Sequence, residues 1–368
     1  MSRPQGGRIE RVRGEGASAP DYFATLAAGF EPVVAEEIDR RLPGTRIAGD
    51  LPGKVFFSTD AGAGEILALR SVHHVERLIG CIEGIGPSRS ELERVQGIVA
   101  GVDCLPPALA ARGAHDWRRD PPTFRVTAYR SGEHDYTSIE LSAAVGAGIV
   151  ERHGWPVNLT DHDVEIVAHL MDSTLLLGVR LTHEGSLHRR HRAAIGLTTL
   201  KASVAFSLLW LAGLRGDEVL LDPMCGSGMI PLEATSAWPG VAAIGGDISA
   251  RELRAAAENV ARSGLDVPLC RWDARRLPLA DASVDCVVTD MPFGRRVGSH
   301  GRNRQVYPAV LTEVARVLRP GGRAVILTLE RRLMARLLPA LPDLELTSTL
   351  PIVLSNLRPS VYMVGKGA

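Results

Sequence analysis

The sequence predicts an α/β protein in which a C-terminal parallel sheet, covered by helices on both faces, follows an N-terminal α+β region. From residue 198 onward, apolar strands alternate strictly with amphipathic helices, which is the pattern of a doubly wound sheet. Residues 21–184 instead follow a β-α-β-β-α-β rhythm with short turns and then a second mixed set of elements. The 368 residues, 45% of them apolar, suffice for two or three hydrophobic cores.

The N-terminal region divides into a tail and two predicted domains. Residues 1–20 are rich in Arg, Gly and Pro and lack apolar periodicity, so we expect a disordered basic tail. In residues 21–85 the pattern predicts a ferredoxin-like domain with helices on one face of an antiparallel sheet. Residues 86–184 form the second domain, in which the strands at 163–171 and 173–182 read as a hairpin.

The C-terminal domain is predicted to span residues 198–368, after a linker at 185–197. Its last two strands follow each other directly, as though an antiparallel hairpin closes the edge of the sheet. A doubly wound sheet binds its ligand outside the carboxyl ends of its strands. We therefore expect functional residues at the positions where the strands end. The predicted strands lie at 218–221, 241–246, 267–272, 284–290 and 323–329, with two more between 344 and 366.

Composition excludes several function classes. The 42 basic residues balance the 42 acidic ones, so any binding of nucleic acid must come from a local patch. The five cysteines are scattered and form no CxxC pair, and the histidines show no metal-ligand spacing, so we predict neither disulfides nor a metal. The longest apolar stretches fall short of a membrane span. We expect a cytoplasmic protein without membrane association, and a monomer is favoured.

A glycine-rich turn connects the first strand of the C-terminal sheet to the next helix. The stretch "VLLDPMCGSGMIPLEA" (219–234) is a strand, an aspartate, a Gly-Ser-Gly turn and a helix start. Glycines let the backbone approach a ligand closely, and the helix start offers N–H groups to a carboxylate or phosphate. No Lys-Ser/Thr pair follows the turn, and the spacing of a dinucleotide site is absent, so neither of those phosphate sites is predicted.

Three consecutive strands of this sheet end in an acidic residue. Asp247 follows Asp222 by 25 residues and can accept both hydroxyls of a ribose. Asp273 can accept from an exocyclic amine while the Ala274 amide meets a ring nitrogen. Together they predict a ligand of the adenosine type that carries an amino-acid tail.

The strand "VVTD" ends in the turn "MPFG" (291–294), which suits an aromatic amine as substrate. The Asp290 carboxylate and the Met291 carbonyl, fixed by Pro292, would accept the two amine hydrogens, and Phe293 would stack on the base. A carboxylate can also accept from guanine N1–H, which favours guanine without excluding adenine. No cysteine follows Pro292, which argues against a cytosine-C5 mechanism.

Two basic stretches are candidates for phosphate contacts. One lies at 180–192 and the other at 294–304, directly after the Pro-Phe-Gly turn. Basic loops beside a base pocket position a nucleic-acid strand through its phosphates. The arginines predicted to bind RNA are Arg189, Arg190, Arg192, Arg295 and Arg296.

The motif "DPMCGSGMIPLE" (222–233) resembles the S-adenosylmethionine-binding motif of the THUMP-domain RNA methyltransferases, and "TDMPFG" (289–294) resembles their catalytic motif. The resemblance runs from about residue 21 to the end and is strongest to tRNA guanine-N2 methyltransferases of the acceptor stem. It implies a THUMP RNA-binding domain at 86–184, a Rossmann-like class I methyltransferase sheet at 198–368, S-adenosyl-L-methionine as cofactor and tRNA as partner. Met291 departs from the family pattern, since many relatives carry proline there.

The resemblance also implies roles for individual residues. Asp290, Pro292 and Phe293 are the catalytic candidates. The candidates for binding the cofactor are Thr199, Asp222, Pro223, Cys225, Gly226, Gly228, Asp247, Ile248, Asp273 and Ala274.

Two other functions stay open at this point. A related enzyme could methylate ribosomal RNA or a small metabolite, because the net charge is neutral and Met291 departs from the family pattern. A protein of another class would bind RNA through a degenerate methyltransferase domain. A degenerate domain is argued against by the intact motif residues, which are Asp222, Gly226, Gly228, Asp290 and Phe293.

Overall fold

The structure, a computed structural model, describes residues 20–111, 117–182, 200–293 and 300–367. These residues form two compact units. The N-terminal unit holds the first seven strands, and the C-terminal unit holds the other seven together with the segment Leu26–Val34. The predicted linker at 185–197 and the predicted tail, except for residue 20, lie outside the described residues.

The first half of the chain contains strands and helices in alternation. In chain order they are β1 (Tyr22–Thr25), α1 (Glu31–Arg41), β2 (Arg46–Leu51), β3 (Lys54–Ser58), α2 (Ala63–Ile66), β4 (His74–Ile82), α3 (Glu91–Ala100), α4 (Leu105–Ala111), β5 (Phe124–Ser131), α5 (Ser138–His153), β6 (Val164–Met171) and β7 (Thr174–Arg180).

The seven strands form one sheet in the order β2-β3-β1-β4-β7-β6-β5. Strands β1 to β4 pair antiparallel, as the ferredoxin-like domain predicted for residues 21–85 would require. Because β4 pairs with β7, the sheet continues across the domain boundary predicted at residue 85. The β6–β7 hairpin turns at Asp172, whose φ of 50° lies in the left-handed region, as the sequence predicted.

The second half of the chain supplies the other sheet. Its elements are α6 (Ala202–Ala212), β8 (Val219–Asp222), α7 (Met229–Ala237), β9 (Ala242–Asp247), α8 (Ala250–Ser263), β10 (Leu269–Arg271), β11 (Val284–Asp290), α9 (His300–Val317), β12 (Leu318–Thr328), α10 (Arg331–Leu337), β13 (Leu344–Pro351) and β14 (Ser360–Lys366).

The C-terminal sheet has the order β10-β9-β8-β11-β12-β14-β13. The five strands from β10 to β12 run parallel, and β14 pairs antiparallel with both β12 and β13, which confirms the doubly wound sheet with an antiparallel hairpin at its edge. The chain moves outward to one side of β8 and returns on the other side at β11. This reversal of strand order is the topological switch point, where such sheets bind their ligands.

Two elements of this half differ from the sequence predictions. The stretch "YPAVLTEVARVL" (307–318) predicts a helix from Tyr307, whereas α9 begins at His300, because the polar run before Tyr307 carries no apolar periodicity to reveal a helix. Helix α10 was not predicted at all, since it is only seven residues long and four of its residues are arginine or alanine. Both elements lie beside the carboxyl end of β12, so they bear on the functional site.

A close contact between Gly246 of β9 and the ring of Trp272 fixes the packing beside the switch point. A Cβ atom on Gly246 would lie 2.0 Å from Cε2 of Trp272. The ring is buried, and its Nε1 donates to the Pro223 carbonyl over 3.0 Å. Only glycine allows the indole to lie against this strand and reach the turn after β8.

We predict that Gly246→Ala destabilises the C-terminal unit by about 1–3 kcal/mol, because the added methyl group overpacks a buried site. Urea denaturation measures the change in the free energy of unfolding. Gly97→Ala is the matched control, since it adds the same methyl group to an exposed helix position with nothing within 4 Å. Equal stability of the two variants would show that the indole contact can relax.

Candidate active site

The glycine-rich turn between β8 and α7 is held in place by the neighbouring strand and helix. Gly226 and Gly228 have φ values of 52° and 79°, which side-chain-bearing residues rarely adopt. The Cys225 amide donates to the Gly246 carbonyl over 2.8 Å. From α8, the buried Asn259 donates its side-chain amide to the Ser227 carbonyl over 3.0 Å. The turn is therefore preorganised.

Asp247, at the end of β9, faces this turn. One carboxylate oxygen accepts from the Gly226 amide over 3.0 Å, and the other accepts from the Ser249 amide over 2.8 Å. Each oxygen has a second lone pair, so both can still accept from ligand hydroxyls. The next residue, Ile248, is 50% exposed, which leaves an apolar side chain available beside the carboxylate.

Asp222, at the end of β8, is almost fully buried. Its Oδ1 accepts from the Met224 amide over 3.2 Å. Burial raises the pKa of Asp222 to about 8, and the neighbouring carboxylates of Asp290 and Asp247 add to the rise. The charges of Asp290 and Asp247 therefore both act on Asp222, and a positively charged organic ligand at these strand ends would offset them.

Asp273, the acidic residue predicted at the end of the third strand, forms an ion pair with Arg275. Asp273 receives hydrogen bonds from the Arg275 guanidinium, including Nη2 to Oδ2 at 2.6 Å, and these bonds lower the pKa of Asp273. To accept a hydrogen bond from an exocyclic amine as predicted, the Asp273 carboxylate must either bind the amine and Arg275 together or release Arg275. Ala274 is buried beside it.

Asp290 ends β11, the strand that pairs with β8 at the switch point. Its Oδ1 is buried and has no hydrogen-bond partner among the described residues. Burial raises the pKa of Asp290 to about 7. An unsatisfied buried acceptor is costly to maintain, so it is more often found where a ligand supplies the donor.

The turn after Asp290 is anchored from two sides. The Met291 amide donates to the Leu327 carbonyl of β12 over 3.0 Å. The Pro292 carbonyl accepts from the Asn303 side-chain amide and from the Tyr307 hydroxyl, both over 2.9 Å. Neither Asn303 nor Tyr307 was among the predicted site residues. Asn303 lies in the polar run before Tyr307, in which the sequence shows no helical period, so its place on the buried face of α9 is known only from the structure.

The same two side chains connect the turn to the end of β12. The Tyr307 hydroxyl lies 2.6 Å from Oγ1 of Thr328, and the Asn303 amide also donates to Glu330 over 2.8 Å. The Met291 side chain is buried in the core cluster that contains Tyr307. Met291 stands where many relatives carry proline, and the turn tolerates it because its side chain packs into the core.

The structure brings most of the predicted site residues together around the ends of β8, β9 and β11, with Pro292 and Phe293 half-buried in the turn. Six candidates lie outside the described residues. They are Thr199, Arg189, Arg190, Arg192, Arg295 and Arg296.

Comparison with known proteins identifies the family. The family description "THUMP domain" matches residues 110–180, and "RMKL-like, methyltransferase domain" matches residues 189–345. A Thermus thermophilus protein named tRNA (guanine(6)-N2)-methyltransferase is 32% identical over 348 residues, which cover 93% of this chain and 98% of that protein. The chain belongs to the THUMP-domain methyltransferases.

Other relatives of this THUMP-domain methyltransferase agree in fold and sequence. The crystal structure of TrmN from Thermus thermophilus is 29% identical, with a TM-score of 0.74, and the match covers 94% of this chain and 99% of that one. A Bos taurus protein named tRNA (guanine(6)-N(2))-methyltransferase THUMP3 is 37% identical over 257 residues, or 66% of this chain. The match spans about half of that longer protein, 51% of its length.

Within the described ranges, neither a membrane-spanning helix nor a metal-binding cluster is present. None of the helices there combines the length and hydrophobicity that crossing a lipid bilayer requires. In the same ranges, no three His, Cys, Asp or Glu side chains come together as a metal ion would need.

The raised pKa of Asp222 predicts a pH dependence of stability. Its folded-state pKa, about 8, exceeds the ordinary value of 3.8, so its contribution to stability is present at low pH and lost as the pH rises through about 8. Asp222→Asn should therefore lose less thermal stability than the ligand-free wild type between about pH 5 and about pH 8.

Thermal unfolding across this pH range measures the effect. Asp217→Asn is the control, because Asp217 is exposed, and it should follow the wild type. Parallel curves for the wild type and Asp222→Asn would mean that Asp222 ionises freely in the folded protein.

Proposed function

We propose that this protein is an S-adenosylmethionine-dependent methyltransferase that modifies the exocyclic N2 of a guanosine in the acceptor stem of tRNA. The buried Asp290 Oδ1, which has no described partner at the end of β11, is the observation that carries the proposal. The relatives named tRNA (guanine(6)-N2)-methyltransferase direct it to the sixth nucleotide. The RNA partner, a cytoplasmic location and a monomeric state stay predictions.

The ends of β8 and β9 fit S-adenosylmethionine. This cofactor supplies a methyl group on a positively charged sulfur and also carries an ammonium group. Asp222 and its neighbouring carboxylates would offset that charge. Asp247 would accept from the ribose hydroxyls, and the exposed Ile248 would cover the adenine ring.

Asp290 would serve the substrate in two ways. Its free Oδ1 can accept a hydrogen bond from the amine and turn the nitrogen lone pair toward the methyl group. When the C–N bond forms and the C–S bond breaks, the sulfur keeps the bonding electron pair and the nitrogen must release a proton. A carboxyl group with a pKa of about 7 can accept that proton near neutral pH.

The same geometry favours guanine over adenine. Guanine offers N1–H next to its N2 amine, so one carboxylate can accept from both groups, whereas adenine N1 is an acceptor and would repel it. Half-buried Phe293 follows in the turn and is available to stack on an extruded base. The THUMP match supports an RNA substrate over a small metabolite.

A tRNA transcript tests the proposed reaction. With S-adenosylmethionine carrying a deuterated methyl group, mass spectrometry of the digested nucleosides should find the label on N2 of guanosine. A matched transcript with inosine at position 6, which lacks only the 2-amine, should accept none. Label on N1 of guanosine, on adenosine or on the inosine transcript would contradict the proposal.

Tyr307 should act as a positioning residue for the catalytic turn. Tyr307→Phe removes one of the two donors to the Pro292 carbonyl, so kcat should fall roughly 3- to 10-fold while KM for S-adenosylmethionine stays unchanged. Steady-state kinetics separates the two constants.

Tyr362→Phe is the matched control for this substitution. Tyr362 is also buried, in β14, but its hydroxyl makes no hydrogen bond within the described residues, so kcat should be retained. A parallel loss in both variants, or a loss only in KM, would show that Tyr307 stabilises the fold without positioning the turn.

A further inference from the structure

A cleft of about 690 Å³ opens at the carboxyl end of β12 and is separate from the cofactor residues. Its lining combines four arginines with one acidic and two apolar residues. The lining residues are Arg304, Leu329, Glu330, Arg331, Arg332, Leu333 and Arg336. We call it the arginine cleft. The neutral charge of the whole chain hides this local excess of positive charge.

The four arginines of the cleft are exposed, and within the described ranges none of them forms an ion pair. Glu330, the acidic residue of the cleft, already accepts from the Asn303 amide over 2.8 Å. The positive charge of the cleft is therefore largely uncompensated by the protein.

Three arginines near the opposite end of β12 form ion pairs, unlike those of the cleft. Arg319 pairs with Asp285, Arg323 with Glu218 over 2.7 Å, and Arg316, at the end of α9, with Glu313 over 2.7 Å. The protein neutralises all three. The four arginines of the cleft differ from them in having no ion pair within the described residues, and they lie at the end of the strand where the sheet binds its ligands.

The arginine cleft adjoins the catalytic turn through a short chain of contacts. Asn303 donates to the Pro292 carbonyl and to Glu330, which lies in the cleft. In the sheet, β11 lies between β8 on one side and β12 on the other. The cofactor residues lie on the β8 side of Asp290, whereas the arginine cleft lies on its β12 side.

We infer that the arginine cleft binds phosphodiester groups of the RNA strand that carries the target guanosine. Guanidinium groups bind phosphate oxygens in a bidentate manner, and several arginines in one cleft match consecutive phosphates. The contacts would position the strand without reading its sequence. This inference rests on the proposed function, because it takes the base at Asp290 to belong to RNA.

Arg332→Gln/Arg336→Gln tests the arginine cleft. Both residues are exposed on α10, so the fold should be retained. At about 0.1 M salt the variant should bind a tRNA transcript on the order of tenfold more weakly, with a slope of log Kd against log salt shallower by about 1–2. KM for tRNA should rise while the affinity for S-adenosylmethionine stays unchanged.

Arg254→Gln/Arg262→Gln is the matched control, because it removes two exposed arginines from α8, on the other flank of the sheet. It should bind tRNA as the wild type does. Equal losses of tRNA affinity in the two double variants would show that only the net charge of the protein matters. An unchanged salt slope in the α10 variant would show that the cleft does not contact the tRNA. Either result overturns the inference.

The two proposals fail in different ways. If the wild type methylates tRNA but the α10 variant binds and reacts as the wild type does, the arginine cleft alone is wrong. If the wild type binds S-adenosylmethionine but transfers no methyl group to tRNA, the proposed function is wrong. The salt dependence of tRNA binding still decides the cleft in that case, because it is measured without turnover.

Discussion

The hydrogen bonds that hold the Pro292 carbonyl between Asn303 and Tyr307 are the constraint on which the site depends. Together with the Met291 amide bonded to β12, they fix the turn so that it cannot relax toward solvent. Asp290 is consequently held where its Oδ1 is buried without a described partner and its pKa is raised to about 7. An acceptor that the protein leaves unsatisfied is available to a substrate amine.

The glycine-rich turn after β8, where the cofactor is expected to bind, is also held by hydrogen bonds to its backbone. The bond from the Cys225 amide to the Gly246 carbonyl and the support from Asn259 hold the glycine-rich turn against β9. Trp272 fits only because Gly246 has no side chain. Two turns held by hydrogen bonds, one at the end of β8 and one at the end of β11, would thus bring the cofactor and the proposed substrate together.

The sequence predicted the features that local patterns encode. Strand ends, the glycine turn and the parallel order follow from periodicity and motif spacing, and the structure has them in the predicted places. Contacts between elements that are distant in the chain could not be predicted from the sequence in this way. Asn303 reaches Pro292 across 11 residues and Trp272 reaches Pro223 across 49, and no pattern within one element reveals such a partner. Helix α10 was too short to show a period.

Methyl transfer by Asp290→Asn tests the central claim most directly. Single-turnover rates with a tRNA transcript should fall by roughly 10²–10⁴-fold, because the amide can neither accept the proton nor carry the charge that orients the amine. tRNA binding should persist. Asp266→Asn, at an exposed position after α8, should keep the wild-type rate. A wild-type rate in Asp290→Asn would contradict the account, since the buried carboxyl group would then have no part in the reaction.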